Sequence, residues 1–110
     1  MRKIGNYLFV EKQDDIYTIR MTPELQDDVG TVAFVEYNFE DKLKKGDFIL
    51  FLEASKTVIE LKTPISGTVH AKNEAAVDQP NLLNSADEAE NWLIQLTDVD
   101  EAEFAALEDE

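Results

Sequence analysis

The apolar positions of this chain fall in short runs separated by polar breaks. "YLFVEKQDDIYTIRM" holds two β-rich runs around a polar turn at Lys12 to Asp15, which predicts a first hairpin. In "MTPELQDDVG" the pattern changes: Thr22 can cap, Pro23 suits a first helical position and Gly30 suits a stop, so a turn or two of helix is expected. "TVAFVEYNF" resumes as a strand. "EDKLKKGDF" then bends at Gly46 and Asp47 and leads into the strand "FILFLE". In "TVIELK", Ile59 and Leu61 share one face while Val58, Glu60 and Lys62 share the other. Pro64 and Gly67 close that run, and "GTVHAKN" follows as a further strand. A long polar connection carries Pro80 and room for a helical turn, and "WLIQL" is the last strand. The tail "DVDEAEFAALEDE" has an Asp start, acids in its first turn and Phe104 with Leu107 at helical spacing. It predicts a short helix docked by a narrow apolar edge, with the final acidic residues frayed.

Short strands punctuated by Gly and Pro indicate a mainly β fold, an antiparallel sandwich or small barrel. Its 110 residues, 44% hydrophobic and 31% charged, predict one domain spanning 1–110.

Charge narrows the partners. With 24 acidic against 10 basic residues the chain stands at −14, which repels nucleic acid and anionic membranes and favours partners with a basic face. There is no cysteine, so disulfides, thiolate metal sites and a cysteine nucleophile are excluded, and any thiol chemistry must be imported. The apolar stretch at the N-terminus is interrupted by Asn6 and ended by Glu11 and Lys12, too short for a signal peptide or membrane span. A cytoplasmic monomer starting at its own Met1 is the expectation.

No catalytic set is visible. His70 is the only histidine and lies in a predicted strand, so a surface or packed role is expected and no metal site. Ser55, Ser66 and Ser85 have no base beside them in the sequence, and "GDF" and "SGT" are turns without phosphate-loop spacing. The residue that stands out is Lys56, between two apolar runs in "FLEASKTVIELKTPISGTV". A lysine serving as a base or Schiff base needs desolvation or a cationic neighbour, and here the neighbours are Glu53, Ala54, Ser55 and Thr57. A hairpin tip instead projects the side chain away from the sheet for modification.

Glu53-Ala54-Ser55-Lys56, with Pro64 eight and Gly67 eleven positions after the lysine, resembles the "ESxK…(S/T)P(V/I)SG" attachment loop of lipoyl carriers. "QDDVGTVAFVEYN", "LKKGD", "NLLNS" and "WLIQL" followed by an acidic helix are similar, in the same order, to segments of the glycine cleavage system H-protein family. The resemblance covers about the whole chain. It implies a flattened β-sandwich of barrel-sandwich type, in which Lys56 becomes an N6-lipoyl-lysine within the attachment turn Glu53, Ser55 and Thr57. The implied cofactor is covalent lipoate, attached by a lipoate ligase or lipoyl transferase and cycling between disulfide and dithiol. The implied role is non-catalytic: an arm that carries an aminomethyl group from a pyridoxal-phosphate glycine decarboxylase to an aminomethyltransferase, and is reoxidised by dihydrolipoyl dehydrogenase.

Biotin sites read Ala-Met-Lys-Met, and Ser55 and Thr57 replace those methionines here. Two departures from the H-protein pattern stand out. The family's His-Glu-Trp-Val, whose glutamate lines the cleft for the loaded arm, is Tyr7-Leu8-Phe9-Val10 here, and Glu90-Asn91 stand before Trp92 where the family has a glycine. Leu8 forfeits a charge-assisted contact worth roughly 1.5 to 3 kcal/mol. A second reading is therefore an H-protein-like paralogue, of the kind some bacteria keep beside lipoate-transfer and ADP-ribosylation enzymes, serving lipoate relay or a redox response. Within it Asp27 and Asp28 are candidate acceptor carboxylates, the plainer alternative being helix-end surface acids. The third reading is an unmodified β-domain acting as a protein-interaction module.

Overall fold

The alternating runs become strands because each can turn one set of side chains inward and the other to water. The computed structural model describes residues 1–110. Its strands are β1 (Arg2–Gly5), β2 (Leu8–Gln13), β3 (Ile16–Met21), β4 (Val32–Tyr37), β5 (Lys42–Leu43), β6 (Phe48–Ala54), β7 (Val58–Lys62), β8 (Gly67–Lys72), β9 (Trp92–Thr97) and β10 (Glu108–Asp109). Every pairing is antiparallel. One sheet runs β10-β1-β2-β3-β9-β8-β5 and the other β4-β6-β7. Between them lies one apolar cluster, to which Val10, Ile19, Ile94 and Leu96 come from the larger sheet and Val35, Leu50, Leu52 and Leu61 from the smaller. This is the flattened antiparallel sandwich expected from the sequence, with extents of 35 × 28 × 23 Å.

The β2–β3 hairpin forms as expected, but β2 continues through Gln13 and the bend narrows to Asp14-Asp15, with Asp14 at φ 55°. Helix α1 (Pro23–Val29) starts and stops where the sequence signals lie. Thr22 Oγ1 accepts from Leu25 N at 3.2 Å and donates to the Tyr7 carbonyl at 2.9 Å, so the cap also ties α1 to the β1–β2 turn. In β7, Leu61 is buried, Ile59 half-buried, and Val58, Glu60 and Lys62 exposed, which is the expected division of faces. The polar connection holds α2 (Ala75–Asp78) and a 3-10 turn (Pro80–Asn84). Helix α3 (Glu101–Ala105) is capped by Asp100 and buries Phe104 edge-on to Tyr17, with ring centroids 5.0 Å apart.

Three strands have no signal in the sequence. β1 is joined to β2 by Asn6-Tyr7, with φ 54° and 64°, the positive-φ pair of a tight hairpin turn. β5 is a two-residue strand inside the predicted polar bend, paired to β8. The third corrects the expectation of a frayed tail: β10 pairs with β1, and Lys3 Nζ reaches Asp109 Oδ1 at 2.8 Å. The terminal acids are ordered by cations at the opposite end of the chain, which composition near residue 110 cannot reveal.

Tyr37 joins the two sheets. It stands on β4, and its hydroxyl donates to the Leu93 carbonyl of β9; burial, above all, pushes that hydroxyl's pKa well above its usual value. Tyr37→Phe is expected to lower stability by about 1 kcal/mol in urea titration, because Leu93 O still accepts from Asn73 N. A change below 0.3 kcal/mol would remove this bond from the sheet-to-sheet contacts.

Candidate functional site

The β6–β7 hairpin ends in a tight turn in which Ala54 N bonds the Thr57 carbonyl at 2.9 Å, leaving Ser55 and Lys56 at the tip. The tip is docked rather than free-standing. Ser55 N donates to Thr31 O at 2.9 Å, and Ser55 Oγ accepts from Thr31 N at 2.9 Å. The main-chain N–H of Lys56 donates to Val29 O at 3.0 Å, and its Nζ donates to Asp27 O at 2.8 Å. The last carbonyls of a helix lack partners within it. Lys56 therefore caps the end of α1 twice, once with its backbone and once with its cation.

This refines the expectation of a side chain projecting away from the sheet. The Lys56 stem lies back over Gly30, where a Cβ would stand 3.1 Å from its Cγ and 3.4 Å from its Cδ and would collide with Ser55 Oγ. Gly30 at φ 80°, ψ −155° is in backbone space that essentially only glycine occupies. Read from sequence as a helix stop, it is also the floor of the lysine. Lys56 remains exposed, and no carboxylate lies within ion-pair distance of Nζ. Freeing the amine breaks one hydrogen bond to a carbonyl in water, a contact of about 1 kcal/mol or less.

Beside the lysine runs an open groove of about 570 Å³ with no apolar lining residue. Gln26 and Asp27 of α1 form one wall, and Asn81, Asn84 and Ser85 the other. The walls are braced across the chain. Asn84 donates to Gly30 O at 2.7 Å and accepts from Val32 N at 2.8 Å, while Gln26 Nε2 reaches Leu83 O at 2.9 Å and Ser85 O at 3.1 Å. Gln26 and Asn84 carry no catalytic pattern, and only the similarity of their segments to the H-protein family pointed toward them.

Of the residues singled out in the sequence, the structure brings Ser55, Lys56 and Asp27 together at this groove. Asp28 is exposed but does not line it. Glu53 points to the outer face of the small sheet, opposite Phe34 and Val58, and Thr57 is half-buried in the turn. His70 is exposed on β8 in the other sheet.

The two departures from the family pattern are structurally occupied. Leu8 is 1% exposed and belongs to the apolar core, so it offers neither charge nor surface to a cleft. Asn91 is buried: its Oδ1 accepts from Arg20 Nε at 3.2 Å and its Nδ2 donates to Ser85 O at 2.9 Å. Arg20, itself buried, also donates to Glu88 O and to Glu11 Oε1, both at 3.2 Å. This network pins residues 85–91 to β2 and β3, and through Ser85 it holds one wall of the groove.

The Glu11 carboxyl reports on that network. Burial is the largest single influence and pushes its pKa up, but the Arg20 hydrogen bond and the charges of Arg2 and Arg20 together outweigh it and hold the group below its usual value. A folded pKa below the unfolded one stabilises the fold above the unfolded pKa and is lost as pH falls through the folded pKa. Glu11→Gln is therefore expected to cost about 1 kcal/mol at pH 7, after allowance for solvent screening of a partly exposed group, and less at pH 2.5. Urea titrations at both pH values test this, and an equal loss at both would assign the effect to shape rather than charge.

Known proteins resemble this chain in sequence and in fold. The family described as "Glycine cleavage H-protein" matches residues 2–110. A "Glycine cleavage system H-like protein" of Staphylococcus aureus is 52% identical over 107 residues, covering 97% of each chain. A "Glycine cleavage system H protein" of Listeria innocua is 39% identical over 100 residues, covering 90% of this chain and 80% of that one. In fold, the crystal structure of a glycine cleavage system H protein from Mycobacterium marinum is similar with a TM-score of 0.75 at 21% identity, over 87% of this chain and 81% of the other. The residues matched, the extent of the identity and the shared sandwich lead to one conclusion: the chain belongs to the glycine cleavage H-protein family.

Proposed function

We propose that this protein is a lipoyl carrier whose attachment point is Lys56. The observation that supports it is the state of that side chain: an exposed amine at a braced hairpin tip, with no carboxylate partner and a single carbonyl contact to give up. As a neutral amine, Nζ attacks the carbonyl carbon of an activated acyl donor; the C–N bond forms as the bond to the leaving group breaks, and the nitrogen gives up a proton. Amide formation removes the cation and leaves one N–H able to donate toward Asp27 O. The bound dithiolane supplies the disulfide–dithiol exchange that a chain without cysteine lacks. Ser55 and Thr31 keep the tip in place, and Gly30 gives the stem room to lie along α1.

In the glycine-cleavage use, the chain offers its arm in turn to a glycine decarboxylase, an aminomethyltransferase and a dihydrolipoyl dehydrogenase. Asp27 is the one acid lining the groove and the one available there to face an amine cargo. A charge of −14 raises encounter rates with basic partner faces. The burial of Leu8 favours the second reading, in which the protein is an H-like paralogue serving lipoate relay or an ADP-ribosylation-linked redox response. The 52% relative named H-like points the same way. Incubation with lipoate ligase, ATP and lipoate followed by intact mass tests the carrier role: one lipoyl increment is expected, and none would leave an unmodified interaction domain. Exchange of bicarbonate into glycine by glycine decarboxylase then separates the two uses, since activity with the lipoylated chain supports the first and its absence the second.

A further inference from the structure

The outer face of the β4-β6-β7 sheet is built as a checkerboard of apolar and acidic side chains. Register puts Phe34, Glu53 and Val58 in one row across the three strands, and Glu36, Phe51 and Glu60 in the next. A bulge between Val32 and Phe34 sets this up: the extra residue lets Val32 and Val35 both face the core while Phe34 turns outward. Phe34 and Phe51 meet edge to face, centroids 6.3 Å apart, and Phe34 stays 43% and Val58 60% exposed. Glu36, Glu53 and Glu60 are exposed and make no side-chain hydrogen bond or ion pair within the chain, unlike Glu11 on β2 and Glu88 in the loop before β9. The other exposed large apolar residues are scattered: Met1 at the N-terminus, Tyr7 in the β1–β2 turn, Phe39 after β4 and Val77 on α2. Only this face combines adjoining apolar side chains with uncompensated acids, and its first row begins one residue from the Ala54–Thr57 turn.

We infer that this face is the docking surface for the enzyme that acylates Lys56, a partner presenting an apolar side chain within a ring of Lys or Arg. The inference rests on Lys56 being the attachment point. An enzyme that joins an acyl group to Nζ must bring its own reacting carbon into contact with that atom, so its footprint includes the surface beside the turn. An enzyme that acts on the far end of the arm can dock anywhere within the arm's reach of the tip. A specific interface covers about 800 Å² per partner with an apolar centre and polar rim, more than the tip alone supplies. The groove side of the tip has no apolar lining residue, so the centre falls on Phe34, Phe51 and Val58. The glutamates around them call for cations. A second copy of this chain is a poor occupant, because two-fold pairing sets glutamates against glutamates in molecules of charge −14.

Lipoylation of full-length variants by lipoate ligase, followed by intact mass over time, tests this. Phe34→Ser and, separately, Glu36→Lys with Glu60→Lys are each expected to lower kcat/KM at least about tenfold through a raised KM, and the charge reversal should also flatten the salt dependence. Asp15→Lys with Glu101→Lys changes net charge equally off this sheet and should stay within twofold of the parent; urea midpoints confirm folding. Parent-like rates in both face variants overturn the docking surface, as does an equal slowing in the off-sheet control. So does normal lipoylation with a loss confined to decarboxylase exchange, which would hand the face to a different enzyme. A parent chain that gains no lipoyl mass is a different failure, that of the carrier reading itself.

Discussion

Lys56→Arg is expected to stay at its unmodified mass under conditions in which lipoate ligase converts the parent chain completely. Arginine keeps the positive charge and can still donate to Asp27 O, so the end of α1 remains capped. What it lacks is a nitrogen that can lose its proton and attack a carbonyl, because the guanidinium stays charged and delocalised at any working pH. The fold should therefore be retained and the chemistry abolished. Other lysines do not stand in. Lys3 is nearly buried against Asp109, and Lys72 donates to Asn38 O. Lys42, Lys44, Lys45 and Lys62 are exposed but lie outside the hairpin tip, and a lipoyl increment appearing in Lys56→Arg would reject Lys56 as the attachment point.

Gly30→Ala should give the largest loss of stability in the neighbourhood of the site, about 3 kcal/mol. Two costs combine. The backbone at φ 80°, ψ −155° must be held by a residue that rarely adopts it, and the new Cβ drives Ser55 Oγ off its bond with Thr31 N. At a urea slope of about 2 kcal/mol/M this moves the midpoint by roughly 1.5 M. Combining Gly30→Ala with Ser55→Ala separates the two costs. Removing the hydroxyl relieves the collision but not the dihedral strain, so the pair should lose less than the sum of the single changes. A midpoint within 0.3 M of the parent for Gly30→Ala would mean that the turn relaxes freely, and that close contact between Gly30 and the tip is not needed to hold Lys56.

Local features of this protein were readable in its sequence. Thr22, Pro23 and Gly30 bound α1 because capping and stop signals act within one helical turn of the residues they govern. Ile59 and Leu61 turned inward because a strand has a period of two, and Asp100 began α3 for the same local reason that Thr22 began α1. The lysine tip followed from two apolar runs joined by a turn too short for anything else. β10 was invisible because its partner β1 lies at the opposite end of the chain, held through Lys3 with Asp109 and Arg2 with Glu110, and β1 because it is short and turns onto β2 through Asn6-Tyr7 without a glycine. β5 was hidden by its two-residue length. Arg20 read as one more polar residue in a strand, yet it is buried with Glu11, Asn91 and the Glu88 carbonyl around it.

By itself, then, the order of residues determined the mainly β character, the boundaries of α1 and α3, the hairpin that ends in Lys56 and the family to which the chain belongs. Folding alone decided that Gly30 lies beneath that lysine, that Asp27 lends it a carbonyl and that Leu8 is withdrawn into the core. It also decided that a bulge turns Phe34 toward solvent beside Glu36 and Glu60. The first set rests on hydrogen bonds and periodicities spanning a few residues. The second rests on which surfaces meet once the sheets close over one core, and that depends on contacts between residues far apart in the chain.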